Sequence, residues 1–351
     1  MHALRTGGSC LRARFVCTLP AASKWRRYST RPVETASRSE DSTLDLEAFR
    51  ARAWIPGRPL VYRARVGSPA VHLPAVDKWF SNSSPAGDTC SSGKTSVLSS
   101  YMAEFLDWPF PYELVIQDAS RAQDSPVRAF GDWLLSSRDM MDQMLAGIIQ
   151  PAVAEGENRA FFQLYAPLRL LAKALEFNAL SDRPGSQPVQ LYIAQSSLSD
   201  LPEPLQHDLP TPYLVQKAGK GDVYSSSVWL GTEPTYTPLH RDPNPNLFCQ
   251  ICSSKVVRLL PPSLGEQLFI QVQARIHQRA NSRIRTSEMM EGKEREEMHR
   301  AVWEPDTPID ELVEARLDSG DALFIPQGWW HSVKSRQSDG SLNGSVNWWF
   351  R

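Results

Sequence analysis

After Gln187 the chain breaks into apolar runs of strand length. "VQLYIAQ", "VYSSSVWLG", "NLFCQIC", "KVVRLLPP", "EARLDSGDALFIP" and "GSVNWWFR" follow one another, with turn-forming residues between them. Runs this short must cover one another's apolar faces, and at this spacing the expected solution is an antiparallel sandwich or barrel. One interruption is long. From Leu268 to about Val302 the sequence is charged and helix-prone, including "EMMEGKEREEMHRAV". Such a run reads as a helix with a solvated face. Inserted between barrel strands, it is placed to serve as a lid or partner surface.

The preceding half is richer in helix. "LDLEAFRARAWIPGRPLVYRA" predicts a short helix, a Pro-Gly turn and a strand at Leu60–Tyr62. "SNSSPAGDTCSSGKTS" is a turn-rich loop. "FGDWLLSSRDMMDQMLAGIIQ" and "FFQLYAPLRLLAKALEF" carry apolar residues at helical spacing and predict two amphipathic helices, with their methionines and aromatics in the core. No internal repeat is visible. The expected class is mainly β with helices, divided into residues 45–190 and a core over 191–351. Five cysteines in 351 residues are too few and too scattered for a disulfide framework. No apolar run approaches the ~18 residues a membrane span needs.

The first residues differ from the rest. No acidic side chain precedes Glu34, and residues 1–28 hold six basic ones among serines and threonines. This is the composition of a mitochondrial transit peptide, and the expected location is the matrix, with cytoplasm or nucleus as the alternative. "RRYS" resembles the matrix protease pattern, with cleavage between Tyr28 and Ser29. Residues 29–44 are polar and read as a linker. Loss of 1–28 takes the net charge from -1 to about -7. An acidic protein is a poor default binder of nucleic acid, whose affinity comes largely from phosphate neutralisation.

The chemistry lies in "YTPLHRDPNPNLFCQICSSKVVRLLPP" and "GDALFIPQGWWHSV". Residues i and i+2 of a strand point the same way, so His240 and Asp242 can supply two ligands from one strand mouth. His331 follows a second predicted strand. Two histidines and one carboxylate on one face of a metal leave its other positions open, the arrangement of non-haem Fe(II) oxygenases. The bland reading of "HRDPNPN" is a polar loop entering a strand. Lys255 weighs against it, because an inward lysine at the head of an apolar strand is costly to bury unless it is paired. A bound carboxylate is one such partner. "CQIC" has no second Cys or His pair at zinc spacing, so Cys249 and Cys252 read as ordinary strand residues.

The run T-P-L-H-x-D-x-x-x-N-x-x-x-Q-(x)4-K, then G-D-x-L-F-I-P-x-x-W-W-H and S-V-N-W-W, resembles the JmjC dioxygenases, above all their small cupin-like hydroxylases. The likeness is specific from about Tyr192 onward and looser over 45–190. It implies a double-stranded β-helix, the jelly-roll barrel of the cupins, with Fe(II), 2-oxoglutarate and O2. By motif position His240, Asp242 and His331 match the iron ligands. Lys255, Thr237 and Tyr192 match the residues that hold the distal carboxylate of 2-oxoglutarate. Asn246 and Asn347 match polar residues near the co-substrate, and Trp229 and Trp349 match pocket aromatics. The resemblance implies hydroxylation of a protein or peptide side chain, with a tRNA-modifying JmjC enzyme as the alternative. From outside the class, the alternative is a non-catalytic cupin barrel that binds a partner through the insert. The C-terminal helices of the dimeric asparaginyl hydroxylase do not follow the Trp-rich strand here, so a monomer is expected.

Residues 1–40 fused to a fluorescent reporter should carry it to mitochondria. A diffuse or nuclear reporter would remove the transit-peptide reading.

Overall fold

The computed structural model describes residues 30–36, 45–83, 95–116, 125–155, 161–180, 187–277, 292–304 and 309–351. The basic segment 1–28 lies outside them. Along the chain the strands are β1 (Arg31–Pro32), β2 (Leu60–Tyr62), β3 (Phe80–Ser83), β4 (Thr95–Leu98), β5 (Pro109–Val115), β6 (Phe161–Pro167), β7 (Gln190–Ser197) and β8 (Val223–Thr232). They continue with β9 (Tyr236–Arg241), β10 (Asn246–Cys252), β11 (Ser254–Leu260), β12 (Val313–Asp318), β13 (Ala322–Ile325), β14 (Trp330–Ser335) and β15 (Leu342–Phe350). The longer helices are α1 (Pro126–Ser136), α2 (Met140–Glu155), α3 (Arg169–Leu180), α4 (Pro262–Arg275) and α5 (Gly292–Trp303).

From β8 onward the chain zigzags between two sheets. One is ordered β1-β12-β11-β14-β9, the other β2-β13-β10-β15-β8-β7-β5-β6. The strands β8 to β15 thereby close a double-stranded β-helix, the cupin jelly roll. Alternation along β11 turns Val257 and Leu259 inward, where they meet Phe248, Leu323, Ile325 and Val333 between the sheets. The other face of the eight-stranded sheet is covered by helices, through residues such as Phe130, Leu170 and Leu171. Among the described residues no helix is long and apolar enough to cross a membrane.

Three expectations change. "FFQLYAPLRLLAKALEF" is a strand and then a helix: Phe161–Pro167 pairs antiparallel with β5, and α3 starts at Arg169. The free edge of β5 offers Phe161–Ala166 backbone partners that local spacing does not reveal, and Pro167 stands at the strand's end, where its missing N–H is tolerated. The turn-rich loop at 81–96 begins and ends in strand, because β3 and β4 form a hairpin. Within the linker, residues 31–35 are docked onto both sheets. Arg31 and Pro32 pair with β12, Val61 N–H donates to the Glu34 carbonyl at 2.9 Å, and Val33 enters the cluster between the sheets.

The insert is also packed more closely than its charge suggests. Phe269 and Val272 of α4 and Met298 and Val302 of α5 bury against Leu239, Leu260 and Trp330 on the outer face of the five-stranded sheet. Gly265 has a packing reason to be in a helix, where glycine is disfavoured by about 1 kcal/mol. A methyl group there would strike the Trp330 indole, which is itself held against Phe269 with ring centroids 5.4 Å apart. Trp330 adjoins His331, so this contact also seats the end of β14. Gly265→Ala should destabilise the protein by about 1–3 kcal/mol, the usual cost of overpacking. Denaturant unfolding checks it, and unchanged stability would show that the insert is not firmly seated.

Candidate metal centre and co-substrate pocket

Strands β9 and β14 are antiparallel neighbours, and their register sets His240 opposite His331. Directly opposed residues share a face, so both imidazoles leave the sheet on the same side. Their ring centroids are 4.2 Å apart. Asp242, just past the end of β9, completes the group. Its Oδ1 lies 4.0 Å from His240 Nε2 and its Oδ2 lies 3.6 Å from His331 Nε2. Ligand bonds of about 2.0–2.2 Å, taking zinc values as a guide, allow two donors on one ion to be at most roughly 4.4 Å apart. The three residues therefore fit a single metal ion, and they form a group whose ligand atoms all lie within 4.8 Å of one another.

Neighbouring groups fix which atoms face inward. His240 Nδ1 lies 2.8 Å from the Pro238 carbonyl, and His331 Nδ1 lies 3.2 Å from the Trp329 carbonyl. Each Nδ1–H donates to its carbonyl, which leaves the Nε2 lone pair for a metal. Burial pushes the His331 pKa down to about 4, with His240 acting in the same direction and Asp242 opposing. His331 is thus neutral near pH 7, the form that ligates. Asp242 Oδ2 accepts from Trp349 Nε1 at 2.7 Å and from Asn246 Nδ2 at 3.1 Å. Asn347 in turn donates to Asn246 Oδ1 at 2.9 Å.

Lys255 lies between the same sheets. It shares the inward face of β11 with Val257 and Leu259 and is 1% exposed. Its Nζ donates to Ser345 Oγ at 2.8 Å and Tyr192 Oη at 3.1 Å. Both are neutral. Burial pushes its pKa down to about 7, against the pull of Glu233. Tyr192 lies over Gly231, where any Cβ would strike its ring. Glu233 is buried as well; its Oε1 accepts from Ser253 and Asn343, both at 2.7 Å, and burial raises its pKa.

The expected site residues fall into two groups. His240, Asp242 and His331 converge. Lys255 and Tyr192 meet, and Thr237 shares their interior face, because it opposes Val333 of the internal cluster. Trp229 opposes Ser345 and packs on Tyr192 with ring centroids 5.8 Å apart. Asn246, Asn347 and Trp349 hold the Asp242 carboxylate, directly or in relay, a closer task than their motif positions implied. Ser345 and Glu233 were not singled out from the sequence. The signal for Ser345 was there: Asn343, Ser345, Asn347 and Trp349 alternate along one face of a buried strand.

Residues 47–351 match the cupin-like domain family. The chain belongs to that family. Its cupin-like relatives include JmjC proteins. Lysine-specific demethylase JMJ30 of Arabidopsis thaliana is 28% identical over 166 residues, 47% of this chain and 35% of that protein. JmjC domain-containing protein D of Dictyostelium discoideum is 29% identical over 161 residues, 43% of this chain and 34% of that protein. The human bifunctional peptidase and (3S)-lysyl hydroxylase JMJD7 is 26% identical over 201 residues, 52% of this chain and 58% of that protein. The chain spans about a third of the length of the first two relatives.

Trp349→Phe keeps the ring and deletes the donor to Asp242. It should weaken Fe(II) or Mn(II) binding about 10–100-fold, the scale of lost support behind a metal ligand. Metal titration of the folded variant checks this, and an unchanged affinity would mean that the 2.7 Å contact does not orient the carboxylate.

Proposed function

We propose that the protein is an Fe(II)- and 2-oxoglutarate-dependent dioxygenase that hydroxylates a protein side chain. One observation carries the reading: a fully buried lysine whose hydrogen-bond partners, Tyr192 and Ser345, are both neutral lies in the same barrel as a His-Asp-His set able to hold a metal. A buried cation of this kind is costly until an anion arrives. A small dicarboxylate that reaches both Lys255 and the metal satisfies it.

His240 and His331 would hold iron through Nε2 and Asp242 through its carboxylate. With iron and 2-oxoglutarate bound, O2 oxidises the co-substrate to succinate and CO2, and one oxygen atom enters a substrate C–H bond. Lys255, Tyr192 and Ser345 bind and orient the far carboxylate with one charged and two neutral hydrogen bonds. Thr237 stands on the same face as a further donor. Trp349 and Asn246 hold the Asp242 carboxylate in place, because both donate to it. Phe248, Val257 and Leu323 keep water from the lysine end. A protein substrate is favoured by the relatives' names, lysine-specific demethylase and lysyl hydroxylase. The complete donor set speaks against a vestigial site. The basic N-terminal composition favours the mitochondrial matrix as the place of action.

The direct test is incubation with Fe(II) and 2-oxoglutarate, reading succinate formed without added substrate. No turnover in a metal-loaded protein would overturn the reading. Lys255→Ala should weaken 2-oxoglutarate binding about 10- to 100-fold, the loss of a charge-assisted hydrogen bond worth about 1.5–3 kcal/mol, and leave metal affinity nearly unchanged. An unaltered co-substrate affinity would exclude Lys255 as the anchor.

The pH dependence has a definite sign. Without ligand, Lys255 holds its proton only below about pH 7. A bound carboxylate raises that pKa again, so binding takes up a proton above pH 7. The dissociation constant should therefore rise with pH above about 7, approaching tenfold per unit, and be flat below it. Calorimetry in buffers of different ionisation enthalpy would detect the proton, and zero uptake at pH 8 would contradict the assignment.

A further inference from the structure

Beside the metal cluster lies an open cleft of about 650 Å3. Its walls include Trp54, Lys220, Tyr224, Asn244, Gln327 and Arg351, and no acidic side chain of the described residues lines it. The loop Pro243–Pro245 forms part of the lining and begins one residue after Asp242. Gln327 precedes Gly328, whose N–H donates to the Asp242 carbonyl at 3.2 Å. The cleft is therefore continuous with the backbone that presents the metal carboxylate.

Arg351 is held in place on this wall by uncharged side chains. Arg351 lies over the Tyr224 ring at 5.3 Å, and its Nε donates to Asn244 Oδ1 at 3.1 Å. Asn244 is 6% exposed, so this contact anchors the guanidinium to a rigid support. Lys220 N–H donates to the Arg351 main-chain oxygen at 2.7 Å, which ties the two cationic residues together through the backbone. Among the described residues neither side chain has an acidic partner. Asp222, close by in sequence, accepts from Arg351 N–H through its backbone carbonyl and forms no ion pair with either cation. Tyr224 remains 60% exposed and offers an aromatic face beside the charges.

We infer that this cleft docks the protein substrate and selects an extended segment bearing Asp or Glu near the residue that enters the barrel. The inference deepens the hydroxylase reading and rests on it. Arg351 has nitrogens left for a carboxylate after the Asn244 bond, and planar guanidinium suits such a partner. The aromatic and proline walls suit the aliphatic stem of an extended peptide. RNA is disfavoured, because its binding depends on neutralising many phosphates. Here two cations stand in a chain of net charge -1.

The test reads binding, separately from turnover. Fluorescein-labelled degenerate peptides of about ten residues, roughly 33 Å when extended, are made in three pools. Their centres carry Asp/Glu, Lys/Arg or Ser/Asn. By fluorescence anisotropy the acidic pool should bind the intact protein about 5- to 10-fold more tightly than the neutral pool, the scale of two exposed ion pairs, and the basic pool least. The double variant Lys220→Gln, Arg351→Gln should lose the preference. Lys220→Gln alone, at an exposed position, should lose part of it and keep substrate-free 2-oxoglutarate turnover. Equal binding of the three pools, or a preference that survives the double variant, overturns the inference. So does a single-stranded RNA oligonucleotide that binds more tightly than the acidic pool. Turnover measured on the same samples keeps the two readings apart: absent turnover with intact acidic preference removes the hydroxylase and leaves the cleft, and the reverse result removes only the cleft.

Discussion

The pairing of β9 with β14 is the contact on which the rest depends. One register places His240 opposite His331 and brings the Asp242 carboxylate within 3.6 Å of the His331 ring nitrogen. A slip by one residue would turn the ligands to the outer face, where α4 and α5 pack. The described residues of the insert therefore bear on the site without supplying a ligand. By burying Leu239, Leu260 and Trp330 on the outside, it penalises any register that would expose them. The same alternation that packs the insert aims the histidines inward.

The barrel interior is divided by chemistry. Phe248, Val257, Leu259 and Leu323 make part of it apolar. A second part is lined by Asn246, Gln250, Asn343, Ser345 and Asn347, all buried. Buried polar groups of this density require partners. Most find them in one another, in Asp242, Glu233 and Lys255, and in backbone carbonyls. The amide relay from Asn347 to Asn246 to Asp242 and the hydroxyls at Lys255 are built from neutral side chains. The side chains hydrogen-bonded to Asp242 and to Lys255 are all uncharged, and Glu233 acts on Lys255 only through its field.

Much of this was legible in the sequence, for a physical reason. Strand alternation is local, so "KVVRLL" already implied that Lys255 faces the way Val257 and Leu259 do. His240 and Asp242 sat two apart on a strand mouth. Long-range pairing was less legible. "FFQLYAP" has helix-like spacing, and only the edge of β5 makes it a strand. Trp349 read as a pocket aromatic, because nothing in a sequence says that an indole N–H will reach a carboxylate on another strand. Glu233 passed unnoticed because its partners, Ser253 and Asn343, come from two different strand ends. Residues 31–35 looked polar and unstructured, and only the open edge of β12 and the strand β2 gave them a place.

That N-terminal docking has a consequence for how the molecule assembles. The barrel is built from strands paired across long stretches of chain: β1 lies against β12, β2 against β13, and β8 against β15. Contacts of such high sequence separation form slowly, because loop-closure entropy must be met before they are rewarded. The first described segment and the last strand must both be present before the interior is sealed. During synthesis His240 emerges with its partner strand β14 still unmade, so the metal triad forms only once the chain has been made past His331. Until then the edges of β10 and β11 lack their later partners, the kind of exposure that makes partly made chains prone to association.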